Sequence, residues 1–136
     1  RTDPSGRYAC LYKRWHLIGL EVGISVASVG LRRESTGAAI GFEADVIATA
    51  KRDLKPGEML DGEGGYTVWG KLLPADTSVR LGGLPLGLAH DVKVIRPVKE
   101  GQSLCWSDVA MDTTTRAYAI RKEMENAFGE PQRKAA

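Results

Sequence analysis

The chain has 136 residues and a net charge of +2, from 19 Lys and Arg against 17 Asp and Glu, a size that fits one ordinary domain or a small domain with appended pieces. Acids and bases are interspersed, and the basic pairs Lys13-Arg14, Arg32-Arg33 and Lys51-Arg52 are too short for a nucleic-acid-binding tail, so no nucleic-acid partner is expected. Cys10 and Cys105 cannot build a disulfide framework, and with His16 and His90 they show no zinc-ligand spacing, so no metal site and a reducing, cytoplasmic setting are expected.

Residues 1–10 read as an irregular lead-in with a turn at Asp3-Pro4-Ser5-Gly6. The apolar run from Leu17 to Leu31 is interrupted by Glu21, Ser25 and Ser28 and is too short to span a bilayer; no signal peptide and no membrane partner are expected. Its residues alternate as in a strand, but Gly19, Gly23 and Ala27 fall four apart as on a helix. The length favours a buried helix over 16–31. Each helical glycine costs about 1 kcal/mol relative to Ala, so a packing partner is needed, and none is evident in the chain. The chain begins at Arg1 rather than Met, which is the expectation for a piece of a longer protein.

Arg32 to Phe42 reads as a loop, and Glu43 to Ala50 as a first strand, with Ala44, Val46, Ala48 and Ala50 alternating with Asp45, Ile47 and Thr49. A polar turn follows at Lys55-Pro56-Gly57-Glu58, then the loop Asp61-Gly62-Glu63-Gly64-Gly65 and the β-rich Tyr66-Thr67-Val68-Trp69. Leu72 to Gly87 is too punctuated by Gly and Pro for regular structure of any length. A half-buried strand is expected over His90–Val98, a short extended piece at Ser103–Trp106, and a turn at Ser107-Asp108. Asp112 is the expected N-cap of a helix over Thr113–Phe128, whose apolar stripe Ala117, Ile120, Met124 and Ala127 should dock on the β unit or another subunit. Gly129 and Pro131 end that helix, and Gln132–Ala136 is expected to fray.

Part of the sequence repeats. Arg52 to Leu60 aligns with Arg96 to Leu104 at an offset of 44, with Arg, an apolar residue, Lys, Gly and Leu in register. Two copies of one turn flanked by strands predict a pseudo-symmetric β unit.

Candidate chemistry is sparse. Successive N–H groups in Gly62-Glu63-Gly64-Gly65 suit an anion-binding nest. However, the strand-like residues that follow, where a nucleotide phosphate loop needs a helix, argue against that loop. Turn geometry is the favoured reading. Asp53, Glu58, Asp61 and Glu63 offer paired carboxylates, Lys51 and Lys71 bracket the stretch as possible anion ligands, and His90-Asp91 is a possible acid–base pair. The bland readings are solvated turns, solvated strand ends and a structural His. Trp69 and Trp106 suit core or interface positions.

At the repeated turn the sequence resembles an SAF domain, the β-clip fold of type III antifreeze proteins and of the C-terminal domain of sialic acid synthases. Asp53, Leu54, Gly57 and Leu60 match the first half of its pattern, and Val98, Gly101, Leu104, Asp108 and Val109 match the second. Pro97 departs, standing where a strand residue or Asp is usual. YKRWHLIGLEVGISVAS, AKRDLKPGEMLDGEGGYTVWGKL and the terminal RKEMENAF resemble the C-terminal third of homoserine-dehydrogenase-like NAD(P)-dependent oxidoreductases. Some of that group act as an alternative deoxyxylulose-phosphate reductoisomerase.

The resemblance implies a mainly β fold, an SAF-like β-clip, with an N-terminal apolar helix and a C-terminal amphipathic helix. Residues 1–42 would end an oligomerising, substrate-bearing domain, 43–112 form the SAF domain, and 113–136 the docking helix and tail. The partners implied are the N-terminal Rossmann and middle domains of the same enzyme, in a homo-oligomer. No cofactor is expected in this chain, NAD(P) being held by the parent enzyme. The implied roles are assembly and substrate-site closure, with the catalytic residues upstream; the substrate-contact candidates are His16, Lys51, Gly62, Gly64, Gly65 and Tyr66. The alternative is a free-standing SAF module that binds a sugar acid or similar small anion around Gly62–Gly70, as in sugar-acid dehydratases. A structural domain like the SAF unit of the flagellar P-ring chaperone ranks below both, and antifreeze activity is last because charges occupy most of the turns.

Overall fold

The computed structural model describes residues 2–10, 12–15 and 17–128. The chain separates into two compact units, Arg1–Ala39 and Ile40–Ala136. In the first, the expected turn forms, closed by the Gly6 N–H on the Asp3 carbonyl at 3.0 Å, with the Asp3 carboxylate accepting from the Tyr8 N–H at 2.8 Å. Helix α1 covers Ile18–Ala27 and continues as a wider π turn over Ser28–Arg32, which Arg33 ends in the left-handed conformation. The helix reading of this run holds, but its burial does not: no residue of α1 is buried.

The second unit holds five short strands, β1 (Ala44–Ala50), β2 (Met59–Asp61), β3 (Val68–Pro74), β4 (His90–Val94) and β5 (Val109–Ala110), and two helices, α2 (Ala75–Leu81) and α3 (Arg116–Phe128). β1 pairs antiparallel with β3, and β2, β4 and β5 form a second antiparallel sheet in that order. Helical residues outnumber strand residues among those described, so the chain is mixed α/β and not the mainly β protein expected from the sequence. Two β segments that are too short or too interrupted to count as strands, at 54 and 103–105, account for part of the difference.

The sequence repeat is a structural two-fold. Leu54 lies at its centre, exchanging both backbone hydrogen bonds with Val98, 44 positions later, at 2.8 and 3.1 Å. Around this pair the bonds match one for one. The Gly57 N–H donates to the Val94 carbonyl at 2.8 Å, as Gly101 does to Ala50 at 2.9 Å; the Val94 N–H donates to Glu58 at 2.8 Å, as Ala50 does to Gln102 at 2.9 Å. Both turns are closed alike, by a side-chain oxygen of the fourth residue accepting from the first N–H: Glu58 on Lys55 and Gln102 on Lys99, each at 2.8 Å. Gly57 and Gly101 take φ of +95° and +78°, a region where a Cβ is strained. Beyond the turns the correspondence continues at an offset of 41. Lys51 donates to the Thr67 carbonyl as Ile95 does to Asp108, and α2 and α3 begin at matching positions, Ala75 and Arg116.

The core is built symmetrically too. Leu54, Leu60, Val68, Val94, Val98, Leu104 and Val109 are all buried, each turn contributing the Leu three residues past its glycine. Burying a side chain of this size stabilises by roughly 1.5–3 kcal/mol relative to leaving it exposed. Leu84 modifies the second copy by joining the pair of Ala48 and Leu104: its N–H donates to the Leu104 carbonyl at 2.9 Å and its carbonyl accepts from the Ala48 N–H at 2.8 Å, while the Leu104 N–H still donates directly to the Ala48 carbonyl at 2.8 Å.

Further differences from the sequence reading follow. At the start of β1 Asp45 is buried and Val46 exposed, because Asp45 has charged and hydroxyl partners. Leu72–Gly87 is largely regular: β3 runs to Pro74, α2 follows, and Leu86–Leu88 forms a 3-10 turn. Pro74, at φ −55° and ψ 139°, enters α2, the Asp76–Arg80 ion pair at 2.7 Å supports it, and Gly82 ends it in the left-handed conformation. Helix α3 starts at Arg116, not Thr113. Asp112 instead folds the approach, accepting from the Thr114 N–H at 2.8 Å, and the Thr115 hydroxyl caps the helix by accepting from the Tyr118 N–H at 3.3 Å. Most of its apolar stripe does not dock on the β unit, Met124 alone being half-buried. Ile120 stays about half exposed, whereas Tyr118, Arg121, Lys122 and Glu125 face the β unit. Gly129, Pro131 and the tail to Ala136 lie outside the described residues.

Candidate functional site

The glycine-rich segment is a loop between β2 and β3, and its own chain fills it. Asp61, the last residue of β2, turns its carboxylate back into the loop. Oδ2 accepts from the Tyr66 N–H at 2.6 Å, and Oδ1 accepts from the Thr67 N–H at 3.0 Å and from the Thr67 hydroxyl. The Thr67 Oγ1 also accepts from the Asp61 N–H at 3.1 Å. The Thr67 hydroxyl, then the Tyr66 N–H, hold the Asp61 pKa down at about 2. Gly65 is required here because a Cβ would overlap the Asp61 carboxylate, and a Cβ on Gly62 would lie 2.8 Å from the His90 ring. The Gly65 N–H closes onto the Gly62 carbonyl at 3.3 Å, and the Lys51 ammonium donates to the Gly65 carbonyl.

The structure therefore brings together Lys51, Gly62, Gly65 and Tyr66, with Asp61 and His90 added. Tyr66 projects into solvent, and Gly64 stands at the loop tip with no atom within 4 Å of a Cβ position. His16 lies outside the described residues. Three N–H groups that a nest would direct at an external anion, those of Gly65, Tyr66 and Thr67, are committed within the chain. The two N–H groups just past the glycines are thus taken by the chain's own Asp61 carboxylate.

The other candidates each resolve into local partners. Asp53 binds Lys99 Nζ at 2.7 Å and the Glu100 N–H at 3.0 Å, and Glu58 pairs with Arg52 at 2.6 Å; these contacts, with the Lys99 and Arg52 hydrogen bonds first, lower both carboxyl pKa values. His90 Nδ1 lies 2.9 Å from Asp91, both side chains being exposed, and Asp91 takes φ +55° where β2 and β4 slip register. Burial, then the Asp108 charge, raises the Cys105 pKa, leaving it a thiol at neutral pH. Among the described residues no group of three or more His, Cys, Asp or Glu converges as metal ligands do, and no helix is long and apolar enough to cross a membrane.

The chain's main buried charge cluster was not legible in the sequence. Asp45 accepts from Arg121 through both oxygens, at 3.0 Å and 2.5 Å, and from the Ser78 hydroxyl at 2.5 Å. Arg121 also donates to Glu125 at 2.7 Å and stacks over Phe42 at 5.2 Å. Burial pushes the Asp45 carboxyl up, but the Arg121 and Ser78 hydrogen bonds outweigh it and the net shift is downward. A lone Asp in an apolar strand and an Arg–Glu pair at i, i+4 were the available signals; nothing local joins positions 76 apart. Beside the cluster, Lys122 lies 4.1 Å over the Trp106 ring, and Tyr118 meets that ring edge-on at 5.4 Å.

Comparison with protein-family models finds no family that matches the chain, and comparison with curated proteins finds no match.

Proposed function

We propose that this chain is the C-terminal, SAF-like part of an NAD(P)-dependent oxidoreductase of the homoserine-dehydrogenase-like kind, with roles in assembly and substrate-site closure. The observation that carries the reading is α1. Ile18, Leu20, Val22, Ile24 and Val26 are each more than half exposed on a helix with no buried residue. A contiguous apolar surface of this kind marks an interface, which the middle domain of the parent enzyme or its oligomer supplies. The two-fold pair of turns supports the β-clip half of the reading, because the residues that carry the resemblance, Leu54, Gly57 and Leu60 with Val98, Gly101 and Leu104, form its centre.

In this reading the chain itself holds no dinucleotide. The glycine loop is closed on itself by the Gly65 N–H, the Tyr66 and Thr67 N–H groups that follow it are taken by Asp61, and it leads into β3, with no helix N-terminus to receive a pyrophosphate. Titrating NADPH into the 136-residue chain should give no heat of binding, and the reading frame upstream of Arg1 should encode a G-x-G-x-x-G strand–turn–helix. Tight NADPH binding by the chain alone, or a start codon at Arg1, overturns the proposal. A thermal-shift screen with sugar acids separates the alternative, because a free-standing binding module gains stability with ligand concentration.

A further inference from the structure

Helix α3 is tied to the β unit in an unusual way for an amphipathic helix. It turns its charged side inward, buries no residue fully, and leaves Ile120 half exposed and Ala117 and Ala127 exposed, with Met124 half-buried. Its counterpart in the repeat, α2, buries Ala75 and Ser78. The contacts that hold α3 are the bidentate Arg121–Asp45 pair, the Lys122–Trp106 and Tyr118–Trp106 ring contacts, and Arg121 over Phe42. Hydrophobic burial contributes little to that list.

Both halves of the ion pair have local partners that survive separation. Asp45 keeps the Ser78 hydroxyl at 2.5 Å and the Val46 N–H at 3.0 Å, both on its own side of the contact. Arg121 keeps Glu125, one turn along its own helix, at 2.7 Å. Removing one partner of a buried pair is costly because it strands the other charge; here each charge retains a partner and gains water when the two part. The helix entry is self-contained as well, since Asp112 folds the approach and Thr115 caps the first turn. The Trp106 Nε1–H is buried without an acceptor, a cost of the closed arrangement, in which α3 side chains cover that ring.

We propose that α3 is a strap, latched to the β unit by the Asp45–Arg121 pair, which opens as one piece while the two-fold β core stays folded. Opening uncovers Phe42, Trp106 and the Asp45 carboxylate on the β unit, and frees the Tyr118–Arg121–Lys122–Glu125 face of the helix. It is a conformational device, with a closed state set by one charged pair and not by the core.

Native-state hydrogen exchange on the full chain, read by mass spectrometry of peptides covering 116–128 and 90–98, tests this directly. In the wild type, 116–128 should exchange through an opening with weak urea dependence, well before 90–98. Asp45→Asn keeps the shape and the Ser78 contact but removes the charge. It should speed exchange over 116–128 by about tenfold or more, the range of a lost charge-assisted hydrogen bond, and leave 90–98 unchanged. Trypsin should then cut after Arg121 and Lys122 faster by a similar factor. If 116–128 and 90–98 exchange together in the wild type, α3 belongs to the core's cooperative unit and the proposal fails. It also fails if Asp45→Asn leaves 116–128 as protected as before. Should Asp45→Asn unfold the whole chain, the latch is part of the core and the wild-type measurement must show joint exchange.

Discussion

The two halves of the β unit solve one problem twice and differ where their surroundings differ. Each has a strand, a glycine turn, a short extended segment (β2 in the first half, the bridged residues 103–105 in the second), a connection, a further strand and a helix, joined at Leu54 and Val98 by a reciprocal backbone pair. The turns are equivalent to within a few tenths of an ångström in their hydrogen bonds. The connections are not. In the first half Asp61 organises a glycine loop; in the second the 3-10 turn Trp106–Asp108 closes the same span in three fewer residues, with Asp108 accepting from the Cys105 N–H at 2.8 Å, where Thr67 accepts from Asp61. The core dictates the turns, so they match; the connections carry different residues, Thr67 in one and Trp106 in the other, and diverge.

A second asymmetry has a covalent cause. Asp53 accepts from the Glu100 N–H across the two-fold. The matching acceptor position is 97 and the matching donor is residue 56, which is Pro and has no N–H. An Asp at 97 would find no backbone donor there, and the chain has Pro97 instead.

These comparisons can be broken in a graded way. Leu54→Ala should cost about 2–5 kcal/mol in urea unfolding, because it opens a cavity where the halves meet. A loss much below that range would mean that the two-fold centre is not the core. Gly57→Ala and Gly101→Ala should each cost about 1–2 kcal/mol from left-handed backbone strain; near-equal losses are expected, and a large difference would break the equivalence of the turns. Asp61 distinguishes the connections through pH. Its folded pKa of about 2 lies below its ordinary 3.8, so the stability it contributes is present above that ordinary value and is lost as pH falls from about 4 to about 2. Asp61→Asn should flatten the acid limb of a thermal-melting profile in that window; an unchanged profile would remove Asp61 as the organiser. The smallest effect is expected from Asp53→Ala, a slight fall in the urea midpoint at unchanged slope, with Pro97→Asp giving no gain. A clear gain from Pro97→Asp would show that the missing N–H of Pro56 is not the reason for the asymmetry.

The contrast between α2 and α3 shows where local reasoning reaches its limit. The start, end and internal ion pair of α2 are written in Pro74, Gly82 and Asp76–Arg80, yet the density of Gly and Pro around them reads as a loop. For α3 the period of Ala117, Ile120, Met124 and Ala127 identifies the helix, but the face that meets the β unit is the one with Tyr118, Arg121 and Lys122.

By itself the sequence determined the repeat, both glycine turns, helix α1 against its strand-like alternation, the loop character of the glycine segment, and the existence of α3. All of these rest on interactions within a few residues or on an internal match that needs no geometry. Only the tertiary structure decided that Leu54 pairs with Val98, that Asp61 occupies its own loop, that α1 buries none of its residues, and that α3 docks by its charges. The Asp45–Arg121 pair joins residues 76 apart, and its strength depends on exclusion from water that only the packed fold creates.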